Sequence, residues 1–131
     1  MSVLDHLPEN LTPFKTAAEI KRRASTLGFD WANLQHLLSH ADEELKEIRE
    51  AIASGDKAAI TDEMGDLLFV IANLARFTET DADAALSGAM QKFSRRFRCV
   101  ETLMTERSLT PQTADLEALW KEAKQLTKSA T

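Results

Sequence analysis

Hydrophobic residues recur at three- and four-residue steps along nearly the whole chain, and no convincing stretch alternates apolar with polar residues. The first spacing is typical of an amphipathic helix, whereas alternation would indicate a strand. Capping residues, glycines and prolines divide the pattern into five segments. We therefore predict an all-α fold, an antiparallel bundle of about five helices joined by short connections.

The capping residues also predict where each helix begins and ends. The predicted bounds are, in chain order, Thr12–Pro13 to Gly28, Asp30 to Ser54 with Gly55 closing the helix, Asp56 to Phe77, a fourth helix capped by Thr80 or Asp81, and a fifth introduced by Pro111 and Thr113, with a frayed polar tail from Thr127. The residues predicted to face inward on the second and fourth helices are Leu34, Leu37, Leu38, Ala41, Leu45, Ile48 and Ile52, and Leu86, Met90, Phe93, Phe97, Val100 and Met104.

The composition fits one globular domain. The chain has 131 residues, 44% of them hydrophobic and 28% charged, so we expect a single domain over residues 1–131. The longest apolar stretch, residues 67–75, is interrupted by Asn73 and is too short to span a bilayer, so no membrane partner and a cytoplasmic location are expected. A net charge of −5 argues against a nucleic acid polymer as partner.

Two pairs of acidic residues are the most informative feature of the sequence. Glu44 and Glu47 lie three apart on the second predicted helix, and Glu63 and Asp66 lie three apart on the third. Residues at this spacing share a helix face, with Cβ atoms about 5 to 6 Å apart. Both pairs fall at the edge of the apolar stripe of their helix, so antiparallel packing would bring four carboxylates around one space.

Clustered carboxylates repel one another and lose hydration unless they protonate or bind a cation. A set of ligands made only of oxygen atoms favours Mg²⁺, with Mn²⁺ as an alternative, over zinc. The competing interpretation is two solvated helix faces. His36 and His40 precede Glu44 at four-residue steps, but neither they nor His6 follow a glutamate by three residues, as a di-iron bundle requires, and surface histidines are expected.

The acidic residues and several further blocks resemble the MazG-type nucleoside triphosphate pyrophosphohydrolases, an all-α superfamily. The acidic part of the resemblance is Glu43-Glu44-x-x-Glu47 followed by Glu63-x-x-Asp66. The further blocks, similar to the C-terminal domain of bacterial MazG, are Gly28-Phe29-Asp30-Trp31, residues 62–69, Asn73-Leu74-Ala75-Arg76, residues 92–97, and Trp120-x-x-x-Lys124. Together they cover residues 18–124.

The resemblance implies hydrolysis of a ribo- or deoxynucleoside triphosphate to the monophosphate and pyrophosphate. It also implies Mg²⁺ bound by Glu44, Glu47, Glu63 and Asp66, and a homodimer or a dimer of dimers that completes the sites. Glu43, beside the first pair, is expected to act as a general base or as an outer ligand. Two features differ from bacterial MazG: this chain carries one copy of the domain rather than two, and Glu19-Ile20-Lys21 replaces Lys-Leu-Gln.

A basic cluster on the fourth helix supplies the candidate substrate-binding residues. Lys92 and Arg96 lie four apart near the Phe93/Phe97 stripe, and with the resemblance they are interpreted as phosphate ligands. Arg95 points further outward and ranks lower. Trp120 and Lys124 share a face of the last helix, where Trp120 would stack on a base, or pack in the core, and Lys124 would reach a phosphate.

Three functions remain open from the sequence. The favoured one is a nucleotide pyrophosphohydrolase that cleans or regulates the nucleotide pool. The second stays within the superfamily, as a phosphoribosyl-ATP pyrophosphohydrolase or a dUTPase-like enzyme. The third is a helical interaction module that binds partner helices through its apolar stripes.

Overall fold

A computed structural model describes residues 1–128, so the end of the predicted polar tail, residues 129–131, lies outside the described part. The described residues contain helices, turns and bends but no strand, which confirms the all-α prediction. The five helices are α1 (Pro13–Ser25), α2 (Leu34–Ser54), α3 (Lys57–Thr78), α4 (Ala82–Glu106) and α5 (Leu116–Leu126).

Most of the predicted helix bounds are confirmed by the capping geometry. Thr12 caps α1 through a hydrogen bond from the Lys15 amide, and Pro13 is its first residue. Gly55 closes α2 with a φ of 72°, and the Asp56 side chain then caps α3 by accepting from the Ala58 amide. Glycine adopts this left-handed conformation without the Cβ strain of other residues, so α2 turns directly into α3.

Two predicted helix starts are wrong. The fifth helix begins at Leu116 and is capped by Asp115, rather than introduced by Pro111 and Thr113. Asp30 does not begin α2, because Asn33 caps it instead by accepting a hydrogen bond of 2.8 Å from the His36 amide. Asp30 is used by a tertiary contact, an ion pair of 2.7 Å with Arg76 of α3. A sequence signal for a cap cannot show that a more distant residue competes for the same carboxylate.

The contacts divide the chain into two compact units, one from Met1 to Ala84 and one that begins at Ala85. In the first, α3 packs against both α1 and α2, and the fully buried residues include Leu37, Val70 and Asn73. In the second, α4 and α5 share a core of Val100, Leu103, Leu119 and Ala123. The prediction of a single domain over residues 1–131 stays a prediction.

The inward stripes were only partly predicted correctly. Leu37 and Val100 are buried, as expected, at 0% and 4% exposure. The predicted inward residues that are instead exposed are Leu34, Leu38, Leu45 and Ile52 on α2, and Leu86, Met90, Phe93 and Phe97 on α4. A helical period shows which side of a helix is apolar, but it does not show whether the chain itself covers that side.

No helix in residues 1–128 is long and apolar enough to cross a membrane.

Candidate metal and nucleotide site

Three of the four acidic residues predicted as metal ligands come together between α2 and α3. One carboxylate oxygen each from Glu44, Glu63 and Asp66 forms a group whose atoms all lie within 4.8 Å of one another. Because the Gly55–Asp56 turn connects the two helices directly, α2 and α3 run side by side and each presents its acidic pair to the other. Such a group is close enough for one cation to contact all three carboxylates.

Two of these residues each have a carboxylate oxygen without a hydrogen-bond partner. The Oε2 atoms of Glu44 and Glu63 are buried and unpaired. Glu44 as a whole is only 6% exposed, which is unusual for a glutamate in a small helical protein. Buried carboxylate oxygens without partners are costly unless a proton or a cation satisfies them, and an all-oxygen set suits a hard divalent ion such as Mg²⁺. The donor set therefore fits the cation that the resemblance implies.

The electrostatics of the cluster lead to the same conclusion. Burial, together with repulsion from Glu47 and Asp66, raises the pKa of Glu44. The pKa of Glu63 rises to about 7, because Glu63 shares a hydrogen bond with the Glu47 carboxyl when one of the two is protonated, and because Glu63 loses hydration and is repelled by neighbouring acids. Glu47 thus contributes to the field of the cluster while lying outside the group of three.

Glu43 occupies a different position from its neighbour Glu44. Its side chain is 73% exposed, and its Oε2 lies 3.6 Å from Nδ1 of His40. The same histidine places Nε2 3.4 Å from Oε1 of Glu44. His36 is exposed, as expected, whereas His40 is half-buried against Trp31, with ring centroids 5.7 Å apart. His40 is therefore part of the surroundings of the carboxylates rather than an isolated surface histidine.

The predicted substrate-binding residues all lie in the unit that begins at Ala85. Lys92, Arg95 and Lys124 are exposed, while Arg96 is half-buried with its guanidinium 6.0 Å from the centroid of the Trp120 ring. Trp120 is half-buried too, and it contacts both the core of this unit and the ring of Phe93, 5.2 Å away. Of the two alternatives for Trp120, packing against the core is observed, and stacking on a base stays a prediction.

Sequence reasoning missed one group near the carboxylates. Lys21, Trp31 and His40 line a pocket that also includes Glu44 and Asp66. From the sequence, Lys21 is only a departure from bacterial MazG, and Trp31 is only part of a matching block. The four-residue step from His40 to Glu44 does predict that these two side chains share a helix face. The positions of Lys21 on α1 and of Trp31 in the following loop depend on tertiary packing, so the sequence does not predict them.

Comparison with known proteins identifies the family. The sequence profile of the MazG nucleotide pyrophosphohydrolase domain matches residues 32–100. The chain belongs to this family. The matched region contains α2, α3 and all of the clustered carboxylates.

Several curated relatives are similar to this chain over most of its length. The chain is 39% identical over 130 residues to the nucleoside triphosphate pyrophosphohydrolase of Escherichia coli (strain K12), a match that covers 94% of this chain and 49% of that protein. It is also 39% identical over 111 residues to the nucleoside triphosphate pyrophosphohydrolase/pyrophosphatase MazG of Thermotoga maritima, covering 82% of this chain and 42% of the relative. The chain thus spans about half the length, or less, of the curated relatives it matches.

Proposed function

We propose that this protein hydrolyses nucleoside triphosphates to nucleoside monophosphates and pyrophosphate in a Mg²⁺-dependent reaction. The observation that supports this most directly is the cluster of Glu44, Glu63 and Asp66, with two buried carboxylate oxygens that lack partners. Family membership and the printed names of the relatives support the same reaction class. The proposal treats residues 1–131 as one catalytic domain.

The proposal gives the carboxylates different roles. Glu44, Glu63 and Asp66 would hold the metal, and Glu47 would add negative charge beside Glu63. When bound, Mg²⁺ would neutralise the repulsion between these carboxylates and the triphosphate, and would lower the pKa of a coordinated water. Mn²⁺ is the expected substitute, because it accepts the same oxygen ligands.

Glu43 is proposed to accept a proton from the attacking water. It stays outside the group of three, with its side chain largely exposed and one oxygen near His40. A general base must reach water without being consumed as a metal ligand, and this exposed position meets the requirement. Attack of the water oxygen on the α-phosphorus then breaks the bond between that phosphorus and the oxygen bridging it to the β-phosphorus. The bridging oxygen leaves with pyrophosphate.

The basic residues of α4 and the last helix are proposed as ligands of the substrate. Lys92 and Arg96 would neutralise phosphate charge as pyrophosphate departs, with Arg95 in a secondary role. Trp120 and Lys124 are proposed to contact the base and a phosphate, respectively. The working assembly is proposed to be a homodimer or a dimer of dimers, located in the cytoplasm, with no nucleic acid polymer or membrane as partner.

The proposed reaction is tested by a panel of ribo- and deoxynucleoside triphosphates with Mg²⁺, with products separated by chromatography. Phosphoribosyl-ATP and dUTP belong in the panel, because these substrates define the alternative members of the superfamily. We expect a monophosphate and pyrophosphate in equal amounts, and no turnover with a chelator. Release of orthophosphate and a nucleoside diphosphate would refute attack at the α-phosphorus, and no turnover at all would favour an interaction module.

A further inference from the structure

A chain of hydrogen bonds fixes the loop between α1 and α2 to the C-terminal half of α3. Asn73 is fully buried, donates to the Phe69 carbonyl oxygen at 2.8 Å, and accepts from Nε of Arg76 at 3.2 Å. Arg76 then donates to Oδ1 of Asp30 at 2.7 Å, and the same oxygen accepts the Trp31 amide at 2.9 Å. One carboxylate oxygen therefore ties the backbone at Trp31 to a guanidinium of α3.

The ion pair between Asp30 and Arg76 is sheltered enough to hold this geometry. Their side chains are 24% and 19% exposed, whereas those of the Lys15–Asp81 ion pair are 53% and 46% exposed. Water competes less for charged groups that are partly removed from it, and charge-assisted hydrogen bonds are among the stronger kinds. Asp30 does not perform the local role that its position suggests, since Asn33 caps α2. Its carboxylate holds the loop instead.

Trp31 carries this restraint to the carboxylate cluster. Its ring meets Phe77 of α3 edge-on, with centroids 6.5 Å apart, and lies against His40 of α2 with centroids 5.7 Å apart. His40 in turn places Nδ1 3.6 Å from Oε2 of Glu43 and Nε2 3.4 Å from Oε1 of Glu44. The indole is therefore a spacer between α3 and the imidazole, and it limits how far His40 can turn away from the two glutamates.

Glu43 needs such a restraint to act as the proposed general base. Its side chain is 73% exposed, and an exposed glutamate samples several rotamers unless a neighbour limits them. A misplacement of about 1 Å at a catalytic centre can cost about a hundredfold in rate. Glu44, by contrast, is buried, so the packing of α2 against α3 already fixes it. The anchored loop therefore matters most for His40 and Glu43.

We infer that the Asp30–Arg76 ion pair positions the proposed general base: through Trp31 it holds His40 beside Glu43. Asp30 and Arg76 are thus positioning residues, which act through other side chains rather than on the substrate or the metal. The inference rests on the proposed function and extends it, because it assigns a catalytic consequence to a contact outside the acidic cluster.

The first test measures kcat of the full chain, with Mg²⁺ and saturating triphosphate, for Asp30→Asn, Arg76→Met and the double variant. Each substitution removes one charge and keeps the approximate length of the side chain. We expect each single variant to lower kcat about tenfold or more. The double variant should lose no more than the worse single variant, because both changes break the same contact. Arg76→Lys keeps the positive charge, so its kcat should lie between those of Arg76→Met and the parent.

The second test follows Trp31 directly by fluorescence, in a Trp120→Phe background that leaves it as the single tryptophan. We expect acrylamide to quench Trp31 more strongly when Asp30→Asn or Arg76→Met is added to this background, because the loop no longer holds the ring against His40. Arg76→Lys should again be intermediate.

Glu19→Gln is the matched control, because it also breaks a sheltered ion pair within the unit from Met1 to Ala84. The Glu19 side chain is 19% exposed and accepts from Arg22 and Arg23 at 2.7 and 2.8 Å. The substitution should lower the melting temperature and leave both kcat and the quenching of Trp31 at their parent values.

Parent-like kcat in Asp30→Asn and Arg76→Met would overturn the inference, as would parent-like quenching of Trp31 in these variants. An equal loss of kcat in Glu19→Gln would overturn it too, because general destabilisation would then explain the effect. If Arg76→Met does not fold, Asp30→Asn and Arg76→Lys decide. A parent that hydrolyses no triphosphate refutes the proposed function, and the inference falls with it. An active parent whose variants keep their kcat refutes the positioning role alone.

Discussion

At the scale of single residues, the structure gives the acidic pairs unequal roles. Glu44 and Glu63 have buried, unpaired oxygens, Asp66 completes the group of three, and Glu47 lies beside it. Their sequence spacing placed them on the correct faces, but it did not distinguish a ligand from a neighbour. That distinction affects stability, because burial and repulsion make each charge costly when no cation is present.

Replacement of one acid should separate activity from stability. We expect Glu63→Gln to abolish triphosphate hydrolysis and to leave the metal-free protein as stable as the parent or more stable, because the amide removes a repelled charge. Asp66→Asn should also abolish hydrolysis and should not destabilise the metal-free protein. Thermal melts with chelator and with Mg²⁺ measure this, since the metal stabilises the folded form it binds. A Mg²⁺-dependent shift of equal size in parent and variants would refute the site.

The raised pKa of Glu63, about 7 against an ordinary 4.5, predicts how the stability of the metal-free protein depends on pH. Between these values the folded state binds a proton more readily than the unfolded state, so the free energy of unfolding should rise as pH falls from about 7 to 4.5. Denaturant titrations of parent and Glu63→Gln in chelator test this.

The stability of the parent and of Glu63→Gln should depend on pH differently between about 4.5 and 7, and parallel pH profiles would contradict the raised pKa of Glu63.

Glu19 affects stability in the opposite direction and over a lower pH range. Its arginine partners lower its pKa from 4.5 to about 2, so its stabilisation is lost as pH falls through that lower range. The parent and Glu63→Gln should both lose this stabilisation at acidic pH.

The basic residues of α4 should matter for turnover more than for folding. We expect Lys92→Ala and Arg96→Ala each to reduce activity at least about tenfold, as loss of a charged phosphate ligand commonly does. Because Lys92 is exposed, the melting temperature of Lys92→Ala should be close to that of the parent. Arg96 also contacts the Trp120 ring, so Arg96→Ala should lose a little stability. Arg98→Ala is the control, an exposed arginine on the same helix. Full activity of both test variants would end the phosphate-binding assignment.

At the scale of helices, the position of the site depends on the turn between α2 and α3. Gly55 closes α2 in the left-handed region, and Asp56 caps α3 immediately afterwards. This pair of caps sets the alignment of the two helices, and with it the distance between the acidic pairs. The sequence predicted both caps correctly because a local backbone conformation determines them.

A glycine substitution tests the importance of this turn. We expect Gly55→Ala to destabilise the protein by about 1 kcal/mol, because alanine is strained at a φ of 72° although its Cβ would meet no atom. Gly88→Ala is the matched control, since Gly88 lies within α4 at an ordinary φ and in open space. Alanine there should be neutral or stabilising by up to about 1 kcal/mol. Equal effects of the two changes in chemical denaturation would contradict a special role for the turn.

At the scale of the whole molecule, the main feature is that several helices have apolar faces exposed to solvent. On α2 and α3 these residues include Leu38, Leu45, Met64, Leu68 and Ile71, and on α4 they include Met90, Phe93 and Phe97. Scattered surface leucines need no explanation, but rows of apolar residues along a helix favour association with a partner.

We expect the protein to be an obligate oligomer, most simply a homodimer, at low micromolar concentration. Burial of these faces against a second copy would remove apolar area from water, which is the main driving force of association. Light scattering measures the mass. Leu45→Lys should shift it toward the monomer, whereas Leu27→Lys, at an exposed leucine outside the helices, should not. A well-folded parent monomer would contradict the prediction.

By itself, the sequence determined the helical class, most of the caps, and the pairing of Glu44 with Glu47 and of Glu63 with Asp66. These features depend on local geometry: the helical period, the capping side chains, and the three-residue step that puts two side chains on one face. The resemblance to the MazG family also followed from the sequence, because its motifs are short runs of residues that can be recognised without the fold.

Only the tertiary structure decided which carboxylate oxygens are buried and unpaired, why Asp30 is used by Arg76 rather than as a helix cap, and that Lys21, Trp31 and His40 adjoin the acidic group. Each of these depends on the packing of segments distant in the chain. Hydrophobic periodicity records the preference of each residue for a face, whereas burial and pKa depend on which other segment covers that face.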